Sequence, residues 1–190
     1  MGSTRDNVFI NVDNRMIYIH DYIDEDSMSK AAYNLMYILN EDDKNEKEQK
    51  SFTREPIKIY INSIGGHVED MWSFVDIILN SRTPIYTYCT GYAHSCGLFI
   101  FLAGEKRYIT KHTRMLCHQL QMGVRGEYQH IKESVVDFDN EWEDVKDYIL
   151  ERTNITEERI DEVKNCKLDW YIRGYDLLKL GVATDLIEKF

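Results

Sequence analysis

Three adjacent side chains that can take part in nucleophilic catalysis, His94, Ser95 and Cys96, stand between two glycines in the segment GYAHSCG. Cysteine is intrinsically the stronger nucleophile, and a helix N-terminus would lower the pKa of the Cys96 thiol. However, a free cysteine that precedes the apolar run LFIFLAG is more typical of a packed core. Ser95 is a weak nucleophile unless a positioned histidine accepts its proton.

One histidine is suitably placed to act as that base. His118 ends the apolar segment RMLCHQ, so we expect its side chain at the rim of a sheet. The alternative is that His118 is a core histidine whose ring nitrogens are hydrogen-bonded within the fold and take no part in catalysis. A second glycine turn, SIGGHVED at Ser63–Asp70, precedes GYAHSCG by about one strand-helix-strand unit, and backbone amides at such turns can bind an oxyanion. From these residues alone, the choice between serine and cysteine chemistry stays open.

The elements around these turns predict an α/β domain with a largely parallel sheet. Strand-like segments alternate with helix-like segments through the first half of the chain. The predicted strands are Met16–His20, Ile57–Ser63, Pro84–Gly91, Lys106–Thr110 and Arg114–Gln119, and the predicted helices are Ser27–Asn40, Val68–Ser81 and Ala93–Gly104.

The second half of the chain is predicted to be mainly helical. Apolar residues from Tyr128 to Ile149 recur at alternating intervals of three and four, which predicts one long amphipathic helix at about 126–152. Its apolar seam could pack on its own domain or meet another subunit. Shorter helices are predicted at Thr156–Asn165 and at about Tyr171–Leu180, and a strand-like segment follows.

We expect residues 1–190 to form a single domain. Residues 1–14 are predicted to be a flexible N-terminal segment, and the charged stretch 41–55 a solvated surface loop.

Composition excludes several classes of function. A net charge of -10 argues against binding to nucleic acid or to an anionic membrane surface, and no segment has the roughly 20 apolar residues of a membrane span. The four cysteines show no metal or redox spacing, so we interpret them as reduced core thiols. These features predict a cytoplasmic protein with no metal and no other cofactor.

Four motifs together resemble one known family. INSIGG, GYAHSCG, MLCHQ and LDWYIRGYDLLKLG occur in the order and spacing of the ClpP family, the proteolytic subunit of the ATP-dependent Clp protease. The resemblance runs from about Arg15 to Glu188. It implies a ClpP/crotonase-like fold of repeated ββα units with a long protruding helix.

The resemblance also implies a serine endopeptidase that hydrolyses short or unfolded polypeptides through an acyl-enzyme. The family's catalytic triad falls on Ser95, His118 and Asp169, and its oxyanion hole falls on the backbone N–H groups of Gly66 and Cys96. An extended peptide substrate would lie beside two short segments. These segments contribute His67 and Val68 from the glycine turn, and Leu120, Gln121 and Met122 from the chain after His118.

Family membership further implies stacked heptameric rings, a tetradecamer of this chain, whose chamber encloses the sites. An AAA+ unfoldase is the family's usual partner, but the segment before Arg15 does not match the axial loops that engage it, so this partner stays open. Two other functions are retained as alternatives: a catalytically inactive ring scaffold and a crotonase-type acyl-CoA enzyme. His94 stands where the family uses a small residue, and we hypothesise that it tunes the pH dependence.

Overall fold

The computed structural model describes residues 6–189, in which one mixed sheet carries helices on one of its faces. Its strands are β1 (Val8–Asn11), β2 (Met16–Ile23), β3 (Ile57–Gly66), β4 (Ile85–His94), β5 (Lys106–Ile109), β6 (Arg114–Cys117), β7 (Trp170–Arg173) and β8 (Asp185–Leu186). Its helices are α1 (Glu25–Glu48), α2 (Val68–Leu79), α3 (Cys96–Ala103), α4 (Tyr128–Arg152), α5 (Glu157–Asn165) and α6 (Tyr175–Lys179).

The sheet is largely parallel, as the sequence predicts. Its main path runs β1-β2-β3-β4-β5-β8, and β6 and β7 branch from it beside β4. Only the β1–β2 and β6–β7 pairs are antiparallel among the described strands. Parallel strands need covering connections, which α2 and α3 provide between successive strands.

The two faces of the sheet differ in character. Isoleucines such as Ile17, Ile59 and Ile61 are fully buried on the helix side. The opposite face carries a row of half-buried tyrosines, which the strand register places side by side: Tyr18, Tyr60, Tyr88 and Tyr108. The rings of Tyr60 and Tyr88 stack at 4.7 Å between centroids, and those of Tyr88 and Tyr108 at 4.8 Å. We call this row the tyrosine stripe.

Strand β4 changes partners along its length, and this change positions the site. Its first half pairs with β5, whereas Tyr92–His94 pair with β6. At the irregularity between the two halves, Asn62 Oδ1 accepts a hydrogen bond from the Tyr92 N–H at 3.2 Å. The Thr113 hydroxyl donates to the Cys89 carbonyl at 2.7 Å. These side chains satisfy backbone groups that the sheet leaves unpaired.

The long helix α4 packs on its own domain along only part of its length. Its C-terminal half packs on the domain, where Trp142, Val145 and Ile149 are buried. Its N-terminal half extends past the domain, with Tyr128 at 74% and Val136 at 61% exposure. Apolar side chains in that half therefore have no cover within the described part of the chain.

The predicted loop at 41–55 is wrong over its first half, because α1 continues to Glu48. Its acidic residues pair with arginines that lie outside α1. Asp42 is 1% exposed. Its carboxylate forms a bidentate ion pair with the Arg15 guanidinium, at 2.7 and 2.9 Å, and accepts a hydrogen bond from the Thr83 hydroxyl. Arg54 binds Asp43 and Glu46. The segment has no apolar periodicity, so only these tertiary ion pairs mark it as an ordered helix.

Three further expectations need correction. The segment 1–14 is predicted to be flexible, but Val8–Asn11 form β1. This strand pairs with β2, and its Val8 side chain is buried. Residues 1–5 of the segment lie outside the described residues. The predicted helix at Tyr171–Leu180 begins only at Tyr175, because residues 170–173 form β7 against β6. Cys166 is exposed rather than in the core, since it caps the end of α5.

None of the helices in residues 6–189 is both long and apolar enough to cross a membrane.

Replacing Asp42 with alanine should destabilise the protein, because it leaves the largely buried Arg15 guanidinium without its partner. We expect a loss of about 2–4 kcal/mol in the free energy of unfolding, measured by urea denaturation. The control is Glu48→Ala at the exposed end of the same helix, which should change stability by less than about 0.5 kcal/mol. Equal effects of the two substitutions would contradict the assigned role of the ion pair.

Candidate active site

The two glycine turns singled out in the sequence pack directly against each other. Gly65, at the end of β3, has a φ of 96°, which favours glycine. A β-carbon at this position would lie 2.7 Å from Ser95 Cβ and 2.8 Å from the His94 carbonyl oxygen. Gly97 faces Ser63 in the same way, at 3.2 Å. Both glycines are therefore needed for the end of β3 to contact the turn that carries Ser95.

Ser95 occupies a sharp turn between a strand and a helix. Its φ of 52° and ψ of -124° are rare for a residue with a side chain and cost on the order of 1–3 kcal/mol. Its N–H donates to the Leu116 carbonyl at 2.9 Å, and its own carbonyl accepts from the Leu98 N–H at 2.8 Å to begin α3. This backbone arrangement holds the Ser95 hydroxyl at the opening of a cleft rather than in the core.

Cys96 is the first residue of α3. Its N–H has no partner among the described residues, as expected at the first position of a helix. Its thiol is buried, donates to the Gly66 carbonyl at 3.2 Å, and has a pKa that burial raises to about 11. The sulfur is therefore protonated and inaccessible, whereas the amide beside Ser95 is free.

The antiparallel pairing of β6 and β7 positions His118 and Asp169. Cys117 and Trp170 form the last pair of the register, and His118 and Asp169 are the next residues beyond that pair on the two strands. Cross-strand neighbours of this kind have Cα atoms about 4.5–5.5 Å apart. The β4–β6 pairing brings Ser95 to the same end of these strands. The backbone therefore gathers all three candidate residues at one place.

The side chains of these residues are not linked as in a triad. His118 Nδ1 donates to the Gln119 carbonyl at 2.6 Å. Within residues 6–189, no hydrogen bond joins His118 to Ser95 or to Asp169, and Asp169 is exposed. Because a carbonyl can only accept, Nδ1 carries the proton in the neutral ring. His118 Nε2 then keeps its lone pair, as a base requires.

A cleft of about 610 Å³ opens beside Ser95 and His118. Eight of the residues predicted for the site line it: Gly66, His67, Val68, Ser95, His118, Leu120, Gln121 and Met122. Cys96 and Asp169 do not line it. His67 caps the start of α2 and pairs through Nδ1 with Asp70 Oδ2 at 3.0 Å. Leu120 is buried, whereas Gln121 and Met122 are exposed.

Sequence reasoning missed several lining residues. Glu69 and Asp70 come from the first turn of α2, Phe138 and Glu141 come from α4, and Tyr22 comes from β2. The position of Glu69 and Asp70, just after the glycine turn, was an available signal. The approach of α4 to the cleft depends on tertiary packing, which no local pattern encodes.

His94 lies outside the cleft, between the rings of Tyr92 and Tyr171. Burial lowers the pKa of His94, and the charges of Arg114 and His118 lower it further. Its Nε2 atom is buried and has no partner among the described residues. His94 is therefore neutral near pH 7, and it would act on His118 only through the electric field.

No group of three or more His, Cys, Asp or Glu side chains within residues 6–189 is arranged to hold a metal ion. The side chains that line the cleft include one hydroxyl on an aliphatic side chain (Ser95), two imidazoles (His67 and His118) and carboxylates.

Comparison with known proteins gives consistent matches. The family model described as Clp protease matches residues 3–190. An ATP-dependent Clp protease proteolytic subunit 2 from Treponema pallidum (strain Nichols) is 28% identical over 137 residues, covering 71% of this chain and 68% of the relative. A protein of the same name from Synechococcus sp. (strain CC9605) is 26% identical over 177 residues, covering 92% and 84%.

Among solved structures, a ClpP1 mutant from Listeria monocytogenes superposes with a TM-score of 0.78 at 24% identity, covering 94% of each chain. This likeness supports the ClpP/crotonase-like fold expected from the sequence motifs. Because the family model matches nearly the whole chain, this protein belongs to the Clp protease family.

Proposed function

We propose that this chain is a serine endopeptidase that hydrolyses short or unfolded polypeptides through a triad of Ser95, His118 and Asp169. The observation that carries the proposal is the cleft in which Ser95, in a strained turn at the start of α3, lies with His118. A strained backbone that exposes one hydroxyl beside an imidazole is typical of a nucleophile turn.

In the proposed acylation step, Ser95 Oγ attacks the carbonyl carbon of the peptide bond while His118 Nε2 accepts the hydroxyl proton. The negative charge that develops on the carbonyl oxygen would be held by the N–H groups of Gly66 and Cys96. His118 then gives its proton to the leaving amine, and the C–N bond breaks. Water, activated by the same imidazole, hydrolyses the acyl-enzyme and restores Ser95.

Asp169 would orient the imidazole and stabilise its protonated form. The Gln119 carbonyl already selects the correct tautomer, but a neutral carbonyl stabilises an imidazolium less than a carboxylate does. Continuing the β6–β7 register by one residue would set Asp169 beside His118, and the proposed mechanism requires the His118 side chain to rotate toward Asp169.

The substrate would bind as an added strand along the segment that follows His118. Residues 120–126 form no backbone–backbone hydrogen bond within the described part of the chain, so their N–H and C=O groups are free to pair with a peptide. Gly66, His67 and Val68 would line the other side of that peptide.

We further propose that the chain assembles into stacked heptameric rings. The exposed apolar residues of α4, including Tyr128, Val135 and Val136, and the tyrosine stripe supply surfaces that a second copy would cover. An AAA+ unfoldase remains a proposed partner for folded substrates, and short peptides allow the chemistry to be tested without it. The described cysteines are all free, which is consistent with a cytoplasmic location.

A catalytically inactive ring scaffold is the second candidate, and the absence of hydrogen bonds from His118 to Ser95 and Asp169 favours it. Mass and activity measured on one preparation separate the two candidates. A ring that never cleaves peptides would support the scaffold, and an active monomer would contradict a compartmentalised protease.

Replacing Ser95 with alanine should abolish peptide hydrolysis, because Ser95 is the only serine, threonine or cysteine among the described residues that line the cleft. We expect kcat for a fluorogenic peptide to fall by at least about 10³-fold. The assay uses material whose ring mass equals that of the wild type, so that lost assembly is not mistaken for lost chemistry. Retention of activity in the Ser95→Ala ring would exclude the proposed mechanism.

Replacing Asp169 with asparagine tests whether the triad assembles during catalysis. The carboxylate stabilises the imidazolium in the transition state, so we expect kcat to fall by about 10³–10⁴-fold with little change in KM. Steady-state kinetics with the same peptide provide the measurement. Unchanged kcat would mean that the Gln119 carbonyl alone supports His118.

Alkylation should distinguish serine chemistry from cysteine chemistry. Burial raises the pKa of Cys96 to about 11, and those of Cys89 and Cys117 to about 12, so these thiols should resist iodoacetamide at pH 8. The exposed Cys166 should be modified first, as followed by peptide mass spectrometry, without loss of activity. Unfolding in urea is the control, in which all four thiols should react. Rapid modification of Cys96 that tracks inactivation would contradict the assignment.

A further inference from the structure

The cleft beside Ser95 has an unusual charge distribution. It is lined by three carboxylates, Glu69 and Asp70 from α2 and Glu141 from α4, and by no lysine or arginine among its described lining residues. Asp70 Oδ2 is hydrogen-bonded to His67 Nδ1 at 3.0 Å. Glu69 and Glu141 form no ion pair or side-chain hydrogen bond with any described residue. The cleft therefore contains two carboxylates that pair with no positively charged side chain among the described residues.

The surroundings of Glu141 disfavour the ionised form of its carboxyl group. Burial raises the pKa of Glu141, and the negative charges of Glu69, Asp137 and Asp144 raise it further. Glu69, in the first turn of α2, is favoured there by the helix dipole, but no such interaction favours Glu141, in the middle of α4. A cation placed between Glu69 and Glu141 would relieve this repulsion.

The remaining walls are apolar and suit a long side chain. Phe138, Leu120, Met122 and Val68 contribute hydrocarbon surface to the same cleft. Lysine and arginine side chains pack their methylene stems on such surface while their charged ends reach polar groups. A purely apolar pocket would favour leucine or methionine in the substrate, whereas this lining adds two acceptors for a cation.

We propose that the cleft selects substrates with a lysine or arginine next to the scissile bond, and that Glu141 and Glu69 bind the charged end of that side chain. This inference rests on the proposed peptidase function, because it assigns the specificity of the same site. Glu141 and Glu69 are specificity-determining residues in this scheme and take no part in the bond-breaking steps.

The first test compares fluorogenic peptides that differ only at the residue before the scissile bond: lysine, its uncharged analogue norleucine, or glutamate. We expect kcat/KM for the lysine peptide to exceed that for norleucine by about tenfold or more, and the glutamate peptide to be the poorest. In the double variant Glu69→Gln/Glu141→Gln, the ratio of kcat/KM for the lysine peptide to kcat/KM for the norleucine peptide should fall to about one.

Glu151→Gln is the matched control, because Glu151 is an exposed acid on the same helix outside the cleft. It should leave the lysine-to-norleucine ratio at the wild-type value. A wild-type enzyme that cleaves norleucine as well as lysine would overturn the inference while leaving the peptidase proposal intact. An equal loss of selectivity in Glu151→Gln would also overturn it, because the effect would then be one of general charge.

A binding measurement separates the inference from catalysis. The Ser95→Ala protein is titrated with fluorescent peptides that end in lysine or norleucine, and fluorescence anisotropy reports Kd. We expect the lysine peptide to bind about tenfold more tightly, and Glu69→Gln/Glu141→Gln in the same background to remove the difference. Equal affinities would overturn the inference. Selective binding by a wild-type protein that cleaves no peptide would instead contradict the proposed function and leave the selectivity standing.

Discussion

The contact between Gly65 and the Ser95 turn is the constraint on which the rest of the site depends. No side chain fits between them, because a β-carbon on Gly65 would overlap both the Ser95 side chain and the His94 carbonyl. The contact fixes the end of β3 against the start of α3. It therefore sets the spacing between the Gly66 and Cys96 amides on one side and the Ser95 hydroxyl on the other. The strain at Ser95 is tolerated because a fully buried helix follows it.

The partner change in β4 complements that contact. Because β4 leaves β5 and joins β6, the sheet has a short branch, and the proposed base and acid lie next to β6 and β7 of that branch. Asn62 and Thr113 satisfy the backbone groups that are exposed where the strands diverge. The backbone does not fix the side-chain conformations of His118 and Asp169. The His118 ring donates a hydrogen bond to the Gln119 carbonyl, and the Asp169 side chain is exposed to solvent.

The sequence predicts those parts of the structure that local patterns control. Alternating strands and helices, glycine turns and the spacing of α4 all appear in runs of neighbouring residues, and the predicted elements are found at these places. The end of α1 was not predictable, because Asp42 and Arg15 meet only through tertiary packing. Strand β7 was missed because its four residues precede a helical pattern and acquire strand geometry only from β6. The acidic lining of the cleft was not predicted for the same reason, since Glu69 and Glu141 lie on helices that are far apart in sequence.

The most direct test is a crystal structure of the assembled protein after reaction with a peptidyl phosphonate, which forms a stable covalent adduct with an activated serine. We expect a bond from Ser95 Oγ to phosphorus, a phosphonyl oxygen between the N–H groups of Gly66 and Cys96, and His118 rotated to contact both Ser95 and Asp169. An adduct on Cys96, or an intact Ser95 in an assembled ring that has been exposed to excess reagent, would contradict it.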